Sequence, residues 1–142
     1  MTARRLWSAL AAALALGLIG TGAELLLIEH HEDETQFVPL VAIGLTLVTL
    51  AWHAWTPGAT SRRSLQGALC LQVVAGLVGV VIHARANAEF QREIDPSLAG
   101  WPLWRKTLQA KAPPALAPGM LAQLGLVGLV YAARPGAEDS RR

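Results

Sequence analysis

The chain is poor in charge and in cysteine. Charged residues make up 15% of its 142 positions, against about 25% in a typical soluble domain. That is too little to keep a globular surface wet, and far too little for a disordered tail. A single cysteine excludes an intrachain disulfide framework and a cysteine-based zinc cluster. A basic stripe is also lacking. The sequence pI near 9.2 comes from scattered arginines, which argues against nucleic acid as a partner. There is no Gly-rich phosphate loop, no H-E-x-x-H, no paired E-x-x-H and no nucleophile set beside a base in the sequence. What the chain has instead is apolar residues, 53% of the total. Its length suits one domain over residues 1–142.

A helix crossing a bilayer needs about 20 mostly apolar residues. Four stretches approach this, at about 6–28, 37–55, 65–83 and 115–133, with a tail at 134–142. The expected fold is therefore all-α, an integral membrane four-helix bundle running up-down-up-down. Arg4 and Arg5 before the first run, with Thr21-Gly22-Ala23 as a cleavage site, also resemble a signal peptide. The apolar run resumes as Leu25-Leu26-Leu27-Ile28 beyond that site, which favours a full span over cleavage.

The basic residues set an orientation. Arg4, Arg5, Arg62, Arg63, Arg134, Arg141 and Arg142 fall on one side of four alternating spans, which is expected to be cytoplasmic. Eight of the ten acids fall on or near the other side: Glu24, Glu29, Glu32, Asp33, Glu34, Glu89, Glu93 and Asp95. An outer face of this sign attracts cations. Trp7, Trp52, Trp55 and Tyr131 are expected at the inner interface, Trp101 and Trp104 at the outer one.

The long second outer loop has its own pattern. Residues 83–93 contain no Gly or Pro and should continue the third helix above the membrane. Asp95-Pro96 should end it, since the residue before proline is pushed out of the α region. Gly100-Trp101-Pro102 can open a short amphipathic helix in the outer interface, carrying Trp101, Trp104 and Leu108.

Chemistry is concentrated at the outer end. Glu29-His30-His31-Glu32-Asp33-Glu34 offers imidazole and carboxylate donors, which suit zinc, iron, manganese or copper. Glu24 lies seven residues before His31 and shares its helix face, on a stripe with Gly17, Gly20 and Thr21. The third helix carries a matching stripe of Gln72, Gly76, Gly79, His83 and Asn87. His31 and His83 at one depth on diagonal helices could ligate a metal or, less readily, a haem. The expected metal set is Glu24, His30, His31, Glu32, His83 and Glu89, with Asn87 orienting a histidine. The bland alternative is a solvated acidic turn with two interfacial histidines.

Other polar residues are expected to be structural. A Gln72–Gln123 hydrogen bond would satisfy two amides in hydrocarbon. Cys70 would be buried as a small apolar residue. His53 would be an interfacial histidine or the inner end of a proton path, and it is the only histidine within topological reach of the inner-side Ser8, Ser61 and Ser64.

The stretches E-H-H-E-D-E-T-Q-F-V-P-L and H-A-R-A-N-A-E-F-Q-R-E-I-D-P-S-L-A-G-W, with A-P-P-A-L-A-P-G later, resemble small bacterial four-span membrane proteins that carry no assigned function. The resemblance covers most of the chain and implies a fold; the basic residues and the aromatic belt add the expectation of a bacterial inner membrane with both ends cytoplasmic. It implies no activity, and no residue role carries over. The residues themselves leave three readings: a binder of a divalent transition metal, a small transporter or proton-coupled subunit acting as an oligomer, and a non-enzymatic accessory subunit docking a membrane partner. An enzyme would require the metal.

Overall fold

The longest element shows how local sequence sets the architecture. In a computed structural model, which describes residues 2–27, 36–110 and 116–134, a single helix runs over 36 residues. At about 1.5 Å per residue it is about 54 Å long, well beyond a hydrocarbon core of about 30 Å. The described elements are α1 (Ala3–Leu27), α2 (Phe37–Trp55), α3 (Ala59–Ile94), α4 (Gly100–Leu108) and α5 (Ala117–Ala132). All are helices.

The ends of α3 are set by named residues. At its start Gly58 is extended, and its N–H donates to Ser61 Oγ at 3.2 Å. Such a bond satisfies a donor that the first helical turn leaves free. At its end Asp95 leaves the α region before Pro96, as expected. Asp95 Oδ1 then accepts from Ser97 Oγ at 2.6 Å and from Ser97 N at 3.1 Å, an Asx turn. The Ser97 hydroxyl, and after it the Ser97 amide, hold the Asp95 carboxyl below its ordinary value. Gly100 takes φ +56°, a left-handed conformation open to glycine, and redirects the chain into α4.

The helices pack in a ring. Extensive contacts join α1 to α2, α2 to α3, α3 to α5 and α5 to α1, so α1 and α3 are diagonal. By its contacts α5 runs antiparallel to α3 and to α1. A Cβ on Gly76 would meet Ala122 and Pro118, one on Gly128 would meet Leu69 and Leu14, and one on Gly17 would meet Leu124. The core between them is made of Leu14, Leu18, Leu65, Leu69 and Leu121, each no more than 2% exposed.

The closest approach is between α3 and α5. A Cβ at Gly76 would stand 2.5 Å from Ala122 N and 2.7 Å from Pro118 O. Glycine there lets two backbones touch, the usual device where helix association relies on van der Waals packing.

Outside the ring, the surface is apolar. Leu16, Ile19, Val41, Val48, Val74, Val81 and Val130 are all at least half exposed on the outer faces of α1, α2, α3 and α5. Soluble monomers rarely show such continuous apolar surface. Together with three helices long and apolar enough to cross a membrane, α1, α2 and α3, it marks a membrane protein. The fourth expected span is the shortest: α5 has 16 residues, about 24 Å of helix.

Two expectations about these faces are corrected. Cys70 is exposed on α3, not buried, because Ala68, Leu69 and Gln72 take the inward positions around it. Tyr131 is 4% exposed and packs inside the bundle, not at the lipid interface. Helix α4 forms as expected and packs on α3, with Leu103 and Thr107 inward and Trp101, Trp104 and Leu108 outward.

Candidate functional sites at the two ends of the bundle

The outer end carries the residues singled out for metal. His30, His31 and Glu32 lie outside the described residues. Glu24 is exposed, and so is Gly20 one turn before it. The expected stripe on α1 therefore splits: Gly17 and Thr21 turn inward while Gly20 and Glu24 turn out, because the inward face of α1 is set by Leu14, Leu18, Thr21 and Leu25. Within the single chain Glu24 therefore faces away from the core.

On α3, His83 and Asn87 are half-buried and both are engaged with neighbours. Glu89 is exposed. The α3 stripe does form a packing face, and its partner is α5: Gly76 meets Ala122 and Pro118, and Gly79 meets Pro118. Among the described residues no group of three or more His, Cys, Asp or Glu side chains stands close enough to hold a metal ion.

The middle of the bundle holds one buried amide, Gln72, among the described residues. Gln72 is fully buried and donates from Nε2 to Leu121 O of α5 at 3.2 Å. Its Oε1 has no partner among the described residues. Gln123 is exposed on the far side of α5, so the expected amide pair does not form. The Leu121 carbonyl takes its place, since the close α3–α5 approach at Gly76, one turn from Gln72, brings backbone within reach of the amide.

The inner end holds the most developed polar cluster, and the sequence shows it only in part. His53, 6% exposed near the C-terminus of α2, meets Ser61, 2% exposed near the N-terminus of α3, at 2.9 Å between Nδ1 and Oγ. The turn at 56–58 folds α2 onto α3 and brings the two together. Ser61 Oγ donates to Thr56 O at 2.8 Å. From the end of α5, Arg134 Nη2 reaches His53 Nε2 at 3.3 Å, and Nη1 donates to Tyr131 O at 3.2 Å. The guanidinium carbon lies 3.9 Å from the centre of the Tyr131 ring, a cation–π distance. The His53 and Tyr131 rings meet edge to face, 6.4 Å apart.

The donors assign the protons. A guanidinium can only donate. His53 Nε2 must therefore be the bare nitrogen, which leaves the proton on Nδ1. Nδ1–H then donates to Ser61 Oγ, whose own proton goes to Thr56 O. The chain Arg134 → His53 → Ser61 → Thr56 carries one direction throughout. This arrangement does not activate Ser61 as a nucleophile, since a general base would have to accept from the hydroxyl, not donate to it. It ties α2, α3 and α5 at one end. His53 is thus buried against α3 and α5 at the end of the bundle. A clue lay in the sequence: His53 and Ser61 stand on either side of a Pro-Gly turn. The contribution of Arg134 had no local signal.

No family model, no curated protein and no solved structure matches this chain.

Proposed function

We propose that the chain is a four-span protein of a bacterial inner membrane, with both ends on the cytoplasmic side, and that it serves as a non-enzymatic accessory subunit whose outer cap, α4, seats in the membrane interface. The observation that carries this reading is the division of α4. Leu103 and Thr107 hold it to α3, while Trp101 and Trp104 stay 72% and 46% exposed. Indole rings with an apolar body and one polar N–H favour the headgroup level. Arg105 and Lys106 on the same helix add charge for anionic headgroups. The packing of the interior supports a scaffold over a transport path, since Gln72 is sealed against the α5 backbone and Gln123 faces away.

The test is Trp fluorescence in vesicles with bromine at shallow or deep acyl positions. In a chain whose Trp7, Trp52 and Trp55 are replaced by Phe, so that only Trp101 and Trp104 emit, shallow bromine is expected to quench more strongly than deep bromine. Equal or stronger quenching by deep bromine would reject the interfacial placement of α4.

A divalent transition metal at the outer end is the second reading. It is favoured by the half-buried, engaged His83 with Asn87 one turn above. His30, His31 and Glu32 would complete the set with His83; the exposed Glu24 and Glu89 would have to turn toward it. Zinc, iron, manganese and copper all suit these donors, and haem between His31 and His83 is the less favoured variant. Near-stoichiometric metal in the purified chain, lost on His31→Ala plus His83→Ala substitution, is the expected outcome of elemental analysis under this reading. A wild type that stays empty after metal is added would exclude it.

A further inference from the structure

We propose that His53 is a proton-sensitive latch, which holds the C-terminal end of α5 through Arg134 when neutral and releases it when protonated. The inference stands on the inner-end geometry alone and is independent of the outer-end readings.

Neutral His53 has one acceptor, Nε2, and Arg134 Nη2 occupies it at 3.3 Å. Protonation places a hydrogen on Nε2, so two donors then face each other. Two positive charges also stand at hydrogen-bond distance, with His53 only 6% exposed. Nδ1–H keeps its bond to Ser61 in both states, so the ring stays fixed on the α2–α3 hairpin and the strain falls on Arg134. That residue sits just past the end of α5, and its other contacts, the bonds to Tyr131 O and the stack on the Tyr131 ring, all stay within its own last turn.

Among the described residues, the charged and titratable surroundings give the imidazolium no compensation. From α3 come Ser61 and the cation Arg62, and from α5 come Tyr131 and Arg134. Helix α1 presents Trp7, Leu10 and Ala11 to the core at this end, with Arg4 and Arg5 exposed beyond. No acid lies among the described residues of this end.

The test uses the full chain in lipid nanodiscs, with Cys70→Ala and a nitroxide on Ala133→Cys. Spin-label mobility is followed from about pH 8 to about pH 5, while nitrogen NMR of labelled histidine follows the His53 ring. The expected result is a neutral ring with its proton on Nδ1 at high pH. On acidification the label passes from an immobile to a mobile spectrum, with the same midpoint as the ring. His53→Gln, which can accept from Arg134 but not gain charge, is expected to keep the label immobile at every pH. Arg134→Gln, which leaves His53 in place, is expected to be mobile at both ends of the range. The latch is overturned if the label stays immobile while the ring titrates. It is equally overturned if the ring never titrates in this range, if the proton at high pH sits on Nε2, or if either variant retains the wild-type transition.

Discussion

Gln72 carries the sharpest conflict at the residue scale. It is fully buried, yet only its Nε2 has a partner, Leu121 O. An unpaired buried acceptor costs about 1–3 kcal/mol, whereas a net hydrogen bond returns about 0.5–1.5 kcal/mol. Removing both together should therefore cost little. Gln72→Met, close in volume, is expected to unfold within about 1 kcal/mol of the wild type or above it, as read by reversible denaturation in mixed micelles. A loss beyond about 2 kcal/mol would show that the amide does more than fill space. His53 teaches the opposite lesson: its two nitrogens are both engaged, in one direction, and Ser61 completes the chain. Sequence reasoning treated His53 as an isolated interfacial residue because two of its partners, Tyr131 and Arg134, lie about eighty positions away. Only the closure of the bundle brings them together.

Among elements, the α3–α5 contact decides how the ring closes. Gly76 meets backbone atoms of α5, which cannot rotate away as a side chain can. Gly76→Ala is expected to destabilise by about 1–3 kcal/mol, the usual cost of overpacking, with the two helices forced apart. Gly44 has nothing within 4 Å of a Cβ. Gly44→Ala should be neutral or stabilising by less than about 1 kcal/mol, since alanine is the better helix former. Equal effects at the two sites would contradict the packing described. The helices themselves were readable from hydropathy and from breakers. Asp95-Pro96 stops α3 and Gly100 with Pro102 opens α4, because these residues act on their own backbone. Which way each helix turns was less readable. The apolar residues of α1 are spread all round, so nothing local told Glu24 to face out or Cys70 on α3 to do the same. That choice was made by the leucines that fill the core, Leu14, Leu18, Leu65 and Leu69.

For the whole molecule, the central claim is that four helices cross the bilayer and return both ends to one side. Helices α1, α2 and α3 have the length and composition for it, and α5, at 16 residues, is the one in question. Its packing along α3 and α1 and its inward Gly125, Gly128 and Tyr131 support a place inside the ring at membrane depth. Arg134 at its inner end stands with Arg62, in keeping with the positive-inside bias. The outer-end metal reading was the least legible part, because its ligands were drawn from a helix face that the fold divides and from the 28–35 segment.

The most direct test is cysteine labelling in intact cells with a reagent that cannot cross the inner membrane. In a Cys70→Ala background, single cysteines replace Thr2, Thr60, Ser97 and Ala133, all exposed. The account predicts labelling of the Ser97 position alone, with the other three reacting only after the membrane is opened. Labelling of the Ala133 position in intact cells, with the Thr2 position still protected, would mean three crossings and would contradict it.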